Sequence, residues 1–311
     1  MVNKINLSRL FLSKIKFIFL ILILSILVAL STQNHKISFD NKIKAPPTPS
    51  KPPITSSDVL ASYSTPFLNG LITNEYAYYN QQDSTSKLSQ NWQMTSGSLF
   101  ARNGYYWTGN SDSCDAPNAN STNCNNSEVF RLNSTRQFAG NINVSLSLIQ
   151  NKDIHNTNCN DDDSCWHGTH IWLRYLSQYN LYYVSVNRAD GQVVIKRKVP
   201  CGDDNSGTYF VLGDYVKHDF KSSTWNSYST TIQTNSDGSV TIKLFDNSIS
   251  KVNPIDTATD RGGTNPNWST SCKVSGKYSS TLYPPITQTG SIGLRGDYSN
   301  FEFTNLVVSK F

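Results

Sequence analysis

The sequence has no long segment with the 3.6-residue apolar periodicity of an amphipathic helix, so a mainly helical fold is not expected. It has no internal repeat of fixed period, which argues against a propeller. It has no C-x-x-C pair, and its histidines are not spaced as the partners of such a pair, which argues against a zinc site. These absences leave a non-repeating β fold as the class to expect.

An excess of basic charge is also missing from most of the chain. The sequence carries 27 Lys and Arg against 22 Asp and Glu, a formal net charge of +5. Residues 1–52 hold eight of the basic residues and one acidic residue, so the remainder has 19 basic and 21 acidic residues. A nucleic-acid-binding domain normally concentrates its basic residues on the folded part. We therefore do not expect nucleic acid as a partner.

The N-terminus has the form of an export signal. Basic residues precede an apolar run over residues 17–30, which is short for a membrane span of roughly 20 residues. This pattern predicts a signal peptide or an uncleaved signal anchor over residues 1–31, and a secreted or extracytoplasmic protein that touches a membrane only through this segment. Residues 32–58 contain a proline-rich stretch and are expected to form an extended linker, which leaves 59–311 as the folded domain.

Six cysteines lie beyond the predicted signal, an even number that predicts disulfide bonds in an exported chain. The sequence does not choose among the 15 pairings that six cysteines allow. Two pairs would each close a short Asn/Asp-rich loop, and the third would be a long-range bond. These expected pairs are Cys114–Cys124, Cys159–Cys165 and Cys201–Cys272.

The loop between Cys159 and Cys165 contains three aspartates, Asp161–Asp163, which offer oxygen ligands for a structural calcium ion. A solvated acidic loop explains them more simply. No other metal or cofactor is expected. Beyond the predicted signal, five N-x-S/T triplets are potential N-glycosylation sites, although a chain rich in Asn, Ser and Thr contains such triplets by chance.

Short segments with alternating or β-branched residues recur from Val59 onward, separated by Gly, Asn, Asp and Ser. About a dozen such segments predict an all-β fold, an antiparallel sandwich of two sheets. The clearest predicted strands are 97–102, 128–132, 142–149, 169–175, 181–187, 193–198, 208–212, 228–233, 240–245, 291–295 and 301–308.

Three consecutive predicted strands, 169–175, 181–187 and 193–198, place polar and aromatic residues on one face. Successive side chains of a strand point to opposite faces, so the apolar sets that include Ile171 and Val184 are expected to face the core. The residues expected on the other face are His170, Trp172, Arg174, Tyr183, Ser185, Asn187, Lys196 and Lys198.

Two segments resemble the concanavalin A-like jelly rolls, which include the laminin-G-like domains. Residues 290–308, GSIGLRGDYSNFEFTNLVV, are similar to their last strands, in which G-x-I/V-G-L-R precedes F-x-F and a valine-rich strand. Residues 181–198, LYYVSVNRADGQVVIKRK, resemble their central Y-x-V-x-x-x-R-x-D-G-x-V segment. The resemblance covers most of residues 60–311 and implies a jelly-roll sandwich. The superfamily includes lectins, carbohydrate-binding modules, glycoside hydrolases and polysaccharide lyases, so the fold alone assigns no reaction.

Glutamate is scarce in this chain, which contains only Glu75, Glu128 and Glu302. Glycoside hydrolysis normally requires two carboxyl groups on either side of the scissile bond. None of the three glutamates lies in the E-x-D-x-x-E pattern of the glucanases in this superfamily. A glycoside hydrolase is therefore a minor alternative.

A polysaccharide lyase requires a group that neutralises the uronic acid carboxylate, a base for the C5 proton and an acid for the leaving oxygen. On the predicted polar face His170 or Tyr183 is a candidate base, and Arg174 or Asn187 a candidate partner of the carboxylate. Lys196 and Lys198 would attract an anionic chain. The lyase strings R-[TS]-E-L and Q-[IV]-H are absent, so this function is kept as the alternative.

A carbohydrate-binding domain requires less, since sugars stack on aromatic rings and hydrogen-bond to polar side chains. We expect Trp172, Arg174 and Tyr183 to contact an extracellular polysaccharide that is neutral or acidic, with the lysines and Asn187 beside them. A surface adhesion domain with a protein partner is a third hypothesis. Each side chain also has a structural explanation, such as an ion pair between Arg174 and Asp190.

Overall fold

The computed structural model describes residues 58–67, 69–109, 129–153, 167–201, 207–218, 220–262, 273–274, 277–278, 283–297 and 299–311. The predicted signal, nearly all of the predicted linker, the triple-aspartate loop and five of the six cysteines lie outside these residues. The cysteine pairing and the calcium ligands therefore remain predictions. The remaining cysteine, Cys201, is buried beside Val199 and Phe210.

The described residues form β-strands and one short helix. Within these residues no helix is long and apolar enough to span a membrane. The elements are β1 (Val59–Tyr63), β2 (Gly70–Asn74), α1 (Glu75–Tyr79), β3 (Trp92–Ser96), β4 (Ser98–Arg102), β5 (Tyr105–Trp107), β6 (Val129–Phe138), β7 (Ile142–Asp153), β8 (Gly168–Ser177), β9 (Asn180–Val186), β10 (Gln192–Val199), β11 (Thr208–Val211), β12 (Val216–Lys217), β13 (Asn226–Thr234), β14 (Val240–Asp246), β15 (Asp256–Asp260), β16 (Lys273–Val274), β17 (Lys277–Tyr278), β18 (Gly290–Asp297) and β19 (Ser299–Lys310).

The strands form two large antiparallel sheets that pack face to face. The front sheet has the order β11-β10-β9-β8-β18-β6-β3, and β12 pairs with β10. The back sheet has the order β15-β14-β13-β7-β19-β5-β4-β2, and β1 pairs with β19. The strands β16 and β17 pair with each other. The predicted antiparallel two-sheet jelly-roll sandwich is confirmed.

One apolar core lies between the sheets. The front sheet contributes residues such as Ile171 and Val184, and the back sheet residues such as Leu146 and Phe303, all fully or almost fully buried. Burying one such side chain contributes roughly 1.5–3 kcal/mol, and a slip of one residue would expose a whole apolar set. The core therefore fixes the register of the front sheet, and with it the side chains on its opposite face.

A buried polar network joins the sheets through that core. The Tyr182 hydroxyl on β9 donates to Asp260 Oδ2 on β15 over 2.7 Å and accepts from the Ile286 backbone N–H. Arg197 Nε on β10 lies 3.5 Å from the same carboxylate oxygen. Burial raises the pKa of Asp260, while Tyr182 and Arg197 oppose that shift. These contacts give the buried charges partners and hold β10 against β15.

All eleven predicted strands are present, and β6 and β7 extend beyond their predicted ends. Sequence periodicity missed the helix α1 and several strands near the start of the domain, among them β1, β2, β3 and β5, and also the edge strand β15. Each of these elements is five residues or shorter, which is too short for alternation to be distinguished from chance.

Candidate functional site

A cavity of about 650 Å³ lies on the face of the front sheet that is turned away from the core, and is called the cleft below. Its floor and walls come from five adjacent strands, the edge strand β11 and the turns after β8 and β9. The described lining residues are Val129, Arg131, His170, Trp172, Gln178, Tyr179, Leu181, Tyr183, Arg188, Lys196, Lys198, Tyr209, Arg295 and Asp297.

The strand register places an aromatic and cationic row across the cleft. Trp172 on β8 lies opposite Tyr183 on β9, which lies opposite Lys196 on β10. Residues directly opposed in an antiparallel pair share a face, so the three side chains are neighbours. Gly293 lies opposite Trp172 on the other side. A Cβ atom there would come within 3.2 Å of the Trp172 ring and 2.2 Å of the Leu132 carbonyl oxygen, so only glycine leaves the indole this position.

Beside this row, three ionisable residues, Arg295, Asp297 and His170, are in contact with one another. Arg295 on β18 lies between Arg131 on β6 and His170 on β8 in the register. The Arg295 Nε–H donates to Asp297 Oδ1 over 2.6 Å. The other carboxylate oxygen of Asp297 lies 3.0 Å from His170 Nε2. Asp297 therefore holds both the arginine and the histidine.

These contacts and burial determine the protonation states of Asp297 and His170. Burial would raise the pKa of Asp297, but Arg295 and His170 outweigh it and lower that pKa to about 2. Burial lowers the pKa of His170 to about 4 despite the nearby carboxylate. A neutral His170 beside an ionised Asp297 carries its proton on Nε2, since a carboxylate only accepts. Its Nδ1, 2.9 Å from Ser185 Oγ, then accepts from that hydroxyl. Both ring nitrogens are thus occupied.

The stability of the protein should fall with acid because of His170. Its folded pKa of about 4 lies below the ordinary value of 6.5, so the unfolded chain takes up this proton first as the pH falls. Stability is then lost between pH 6.5 and about 4. We expect urea unfolding to show a smaller loss over this window for His170→Gln than for the unsubstituted protein. Equal losses in the two proteins would contradict the buried, neutral histidine.

The structure brings most of the predicted site residues together. Those that line the cleft are His170, Trp172, Tyr183, Lys196 and Lys198. Their roles in binding or catalysis remain predictions, but the expectation that they share one face agrees with the structure.

Arg174 does not share that face, and its predicted place in the site is corrected. Its backbone is left-handed, with φ of 45°, at a register shift in the pairing of β8 with β9. Its guanidinium donates to the carbonyl oxygens of Ile286 over 2.6 Å and Gly140 over 3.2 Å, and the side chain is buried. The predicted pairing with Asp190 is also wrong, because Arg188 makes that ion pair.

Asn187 is the second correction. It follows the end of β9 and also has a left-handed backbone, with φ of 50°. Its Oδ1 accepts a hydrogen bond from the hydroxyl of Tyr228, a core residue of the back sheet, over 2.6 Å. The side chain therefore joins the two sheets and is not available to a ligand in the cleft.

The irregularity at Arg174 also moves Tyr175, which alternation places on the core side. Its ring stacks on Trp172 with centroids 5.1 Å apart and an angle of 8°. Trp172 is consequently only 2% exposed. Tyr209 in the lining of the cleft is 37% exposed, and Tyr215, which lies near the lining residues Arg188 and Lys196, is 54% exposed. Neither tyrosine was predicted from the sequence.

The two predicted lysines, Lys196 and Lys198, are largely buried and lie near other cations. Burial, followed by the charge of Arg188, lowers the pKa of Lys196 to about 8. Burial, followed by the charges of Arg295 and Arg131, lowers the pKa of Lys198 to about 8. An anionic ligand would reduce the electrostatic repulsion between these neighbouring cations.

Sequence reasoning missed the three arginines of the cleft. Arg295 and Asp297 lie in the segment that carries the fold resemblance, and simple alternation from the buried Leu294 would have placed them on the cleft face. Arg131 precedes the buried Leu132 in the same way. Arg188 carries no comparable signal, because it lies after the irregular Asn187.

No protein-family model matches the chain, and no curated protein matches it. Solved structures match at low similarity. A carbohydrate-binding module of Bacillus subtilis has 12% identity and a TM-score of 0.41, over 71% of this chain and 96% of that one. β-Agarase B of Zobellia galactanivorans has 8% identity and a TM-score of 0.44, over 80% and 90%. An alginate lyase in complex with an alginate tetrasaccharide has 9% identity and a TM-score of 0.38, over 81% and 98%. Similarity at this level assigns no function.

Proposed function

We propose that the cleft binds an acidic polysaccharide without cleaving it. The observation that carries the proposal is the charge of the lining. Five cations face the cleft, and among the described lining residues the only carboxylate is Asp297, which is already held by Arg295 and His170. The cations are Arg131, Arg188, Lys196, Lys198 and Arg295. Such a lining attracts and neutralises anionic groups.

The tyrosines of the cleft suit a sugar chain better than a small inorganic anion. The Tyr209 hydroxyl accepts a hydrogen bond from Arg295 Nη1 over 3.1 Å, and its ring is exposed. Tyr179 lies at the end where β8 turns into β9, and Tyr215 lies near Lys196 and Arg188. Several tyrosine rings can each stack on the pyranose ring of a different sugar residue. A small inorganic anion has no apolar face that could stack on them.

Four residues were considered for β-elimination, and their contacts favour binding over catalysis. They are His170, Tyr183, Arg174 and Asn187. His170 has no free ring nitrogen with which to remove a proton. Burial raises the pKa of Tyr183 well above its usual value, which keeps the phenol protonated and unsuited to act as a base. Arg174 and Asn187 are engaged inside the fold and cannot neutralise a uronic acid carboxylate.

We also propose that the protein acts outside the cytoplasm. The support is the basic and apolar pattern of residues 1–31 and the proline-rich segment that follows it. This part of the proposal rests on sequence alone, and cell fractionation with an antibody to the folded domain tests it. Recovery of the protein only in the cytoplasm would overturn it.

Affinity electrophoresis in gels that contain acidic or neutral polysaccharides tests the binding proposal. We expect retardation by acidic polymers and none by neutral ones, with no ultraviolet absorbance from unsaturated sugar products. Rising absorbance that is lost in Tyr183→Phe would instead establish a lyase. Absence of retardation in every gel would leave a protein partner as the remaining hypothesis.

A further inference from the structure

The cations of the cleft form two groups, each built around a tyrosine. The first group, called the Tyr209 seat, combines Lys198, Arg295 and Arg131. Lys198 Nζ lies 4.7 Å from the centroid of the Tyr209 ring, and Arg295 Nη1 lies 3.1 Å from its hydroxyl oxygen. Arg131 lies opposite Arg295 in the register and lowers the pKa of Lys198. Lys198 and Arg295 thus contact one exposed tyrosine, Arg131 lies beside Arg295, and Asp297 is the carboxylate bound to Arg295.

The second group, called the Tyr215 seat, combines Lys196 and Arg188. Lys196 Nζ lies 5.9 Å and Arg188 Cζ 5.7 Å from the centroid of the Tyr215 ring. Asp190 receives hydrogen bonds from Nε and Nη2 of Arg188. The third guanidinium nitrogen of Arg188, Nη1, is buried and has no hydrogen-bond partner among the described residues. A buried guanidinium N–H without a partner is costly, which is a reason to expect an acceptor there.

Both groups carry like charges in positions that the fold alone does not favour. Arg131 and Arg295 lie directly opposite each other on neighbouring strands, an arrangement that destabilises a sheet. Lys196 lies close enough to Arg188 for the guanidinium to lower its pKa. A sheet face with only a structural role would gain stability from neutral or opposite charges at these positions.

The two seats are held at a fixed separation by β10. Lys196 and Lys198 are two residues apart and point to the same face, so their Cα atoms lie about 7 Å apart. Each lysine belongs to a different seat, and the neutral rings of Tyr183 and Trp172 lie on the floor beside them. Because each lysine lies against a different tyrosine, two acid groups of one chain can occupy the two seats together.

We infer that the cleft holds two acid groups of a single glycan chain at once, one in the Tyr209 seat and one in the Tyr215 seat. The inference rests on the proposed function and narrows its ligand to densely charged glycans, in which acid groups follow one another closely along the chain. A neutral chain, or one whose acid groups are widely spaced, fills at most one seat. Simultaneous contact at two linked seats raises affinity through effective concentration, by about 10²-fold or more.

Calorimetric titration of the full chain with galacturonic acid and with its linear tetramer tests the inference. We expect the tetramer to bind about 10²-fold more tightly than the monomer. Lys196→Met and Lys198→Met should each remove most of this gain, because either substitution leaves only one complete seat. Monomer affinity should change much less in each single variant, since the other seat remains. Lys243→Met, on the outer side of the back sheet, is the matched control and should retain the full gain.

The outcomes separate this inference from the proposed function. Equal affinity for monomer and tetramer would overturn the two seats while leaving acidic glycan binding intact. A strong loss of monomer binding in both single variants would show that the lysines share one anion, and would also overturn the inference. No binding of either galacturonate, and none of a heparin-derived tetrasaccharide, would overturn the acidic glycan proposal itself.

Discussion

Replacing Asp297 by asparagine is expected to lower the free energy of unfolding by about 3 kcal/mol at neutral pH, because removing one partner of a buried ion pair leaves the other charge uncompensated. Asp297 is 2% exposed and contacts both Arg295 and His170. Asparagine has nearly the same shape, so the loss reports the charge and not the packing. Urea denaturation of the two proteins measures it.

The same substitution should affect ligand binding in the opposite direction. Without Asp297, Arg295 loses its internal counter-charge and is free to pair with an acid group in the cleft. We therefore expect unchanged or tighter binding of polygalacturonate together with the lower stability. The control is Asp237→Asn in the exposed turn before β14, where we expect a change within about 0.5 kcal/mol. Loss of binding in Asp297→Asn at full folding would contradict the account of this carboxylate.

Binding of an acidic polysaccharide is expected to weaken by about 10²-fold between pH 7 and pH 9, through linkage to two lysines. Lys196 and Lys198 each have a pKa of about 8, lowered mainly by burial. Below that pH both lysines are charged. Above it each must take up a proton to bind one, which costs about tenfold for each pH unit beyond the pKa. Uronic acids stay ionised throughout this range, so the ligand does not contribute. Calorimetric titration across the range measures the change.

A pair of conservative substitutions isolates the lysines. In the double variant Lys196→Arg and Lys198→Arg the cations keep their charge at pH 9, because a guanidinium does not deprotonate in this range. We expect its affinity to be nearly independent of pH over this window. A similar decline in the variant and in the unsubstituted protein would show that other groups cause the loss.

The alternation of apolar residues predicted much of this architecture for a physical reason. Strands such as β8, β9 and β10 bury one side in the core, so each residue is assigned to a face by its parity. This reasoning placed His170, Trp172, Tyr183, Lys196 and Lys198 on the cleft. It failed wherever parity is broken.

The failures lie at two residues with left-handed backbone, Arg174 and Asn187. Asparagine is enriched in this conformation, so Asn187 offered a weak signal, whereas Arg174 offered none. Gly290 on β18 contributes to the irregularity at Arg174. A Cβ atom at Gly290 would come within 2.8 Å of the Arg174 Cα, so the close approach of β8 to β18 at this point requires a glycine. Such an approach between residues far apart in sequence is not visible in local periodicity.

Strand order was the other missing element. Arg295 and Asp297 lie more than 120 residues after His170, and they meet it because β18 inserts between β8 and β6. The faces of β6 and β18 follow from alternation, but their position beside β8 is set by the packing of the whole sandwich. The sequence thus predicted the two lysines, Trp172 and Tyr183, while the arginines and the exposed Tyr209 required the structure.

The most direct test of the central claim compares two forms of one polymer. Polygalacturonate and its fully methyl-esterified form have the same sugar backbone and differ in the charge of the carboxyl group. If the cations of the cleft bind acid groups, the full chain is retarded strongly in a gel with polygalacturonate and passes freely through the esterified polymer, and added salt weakens the retardation. Equal retardation by both polymers, or retardation that salt does not change, would contradict charge recognition in the cleft.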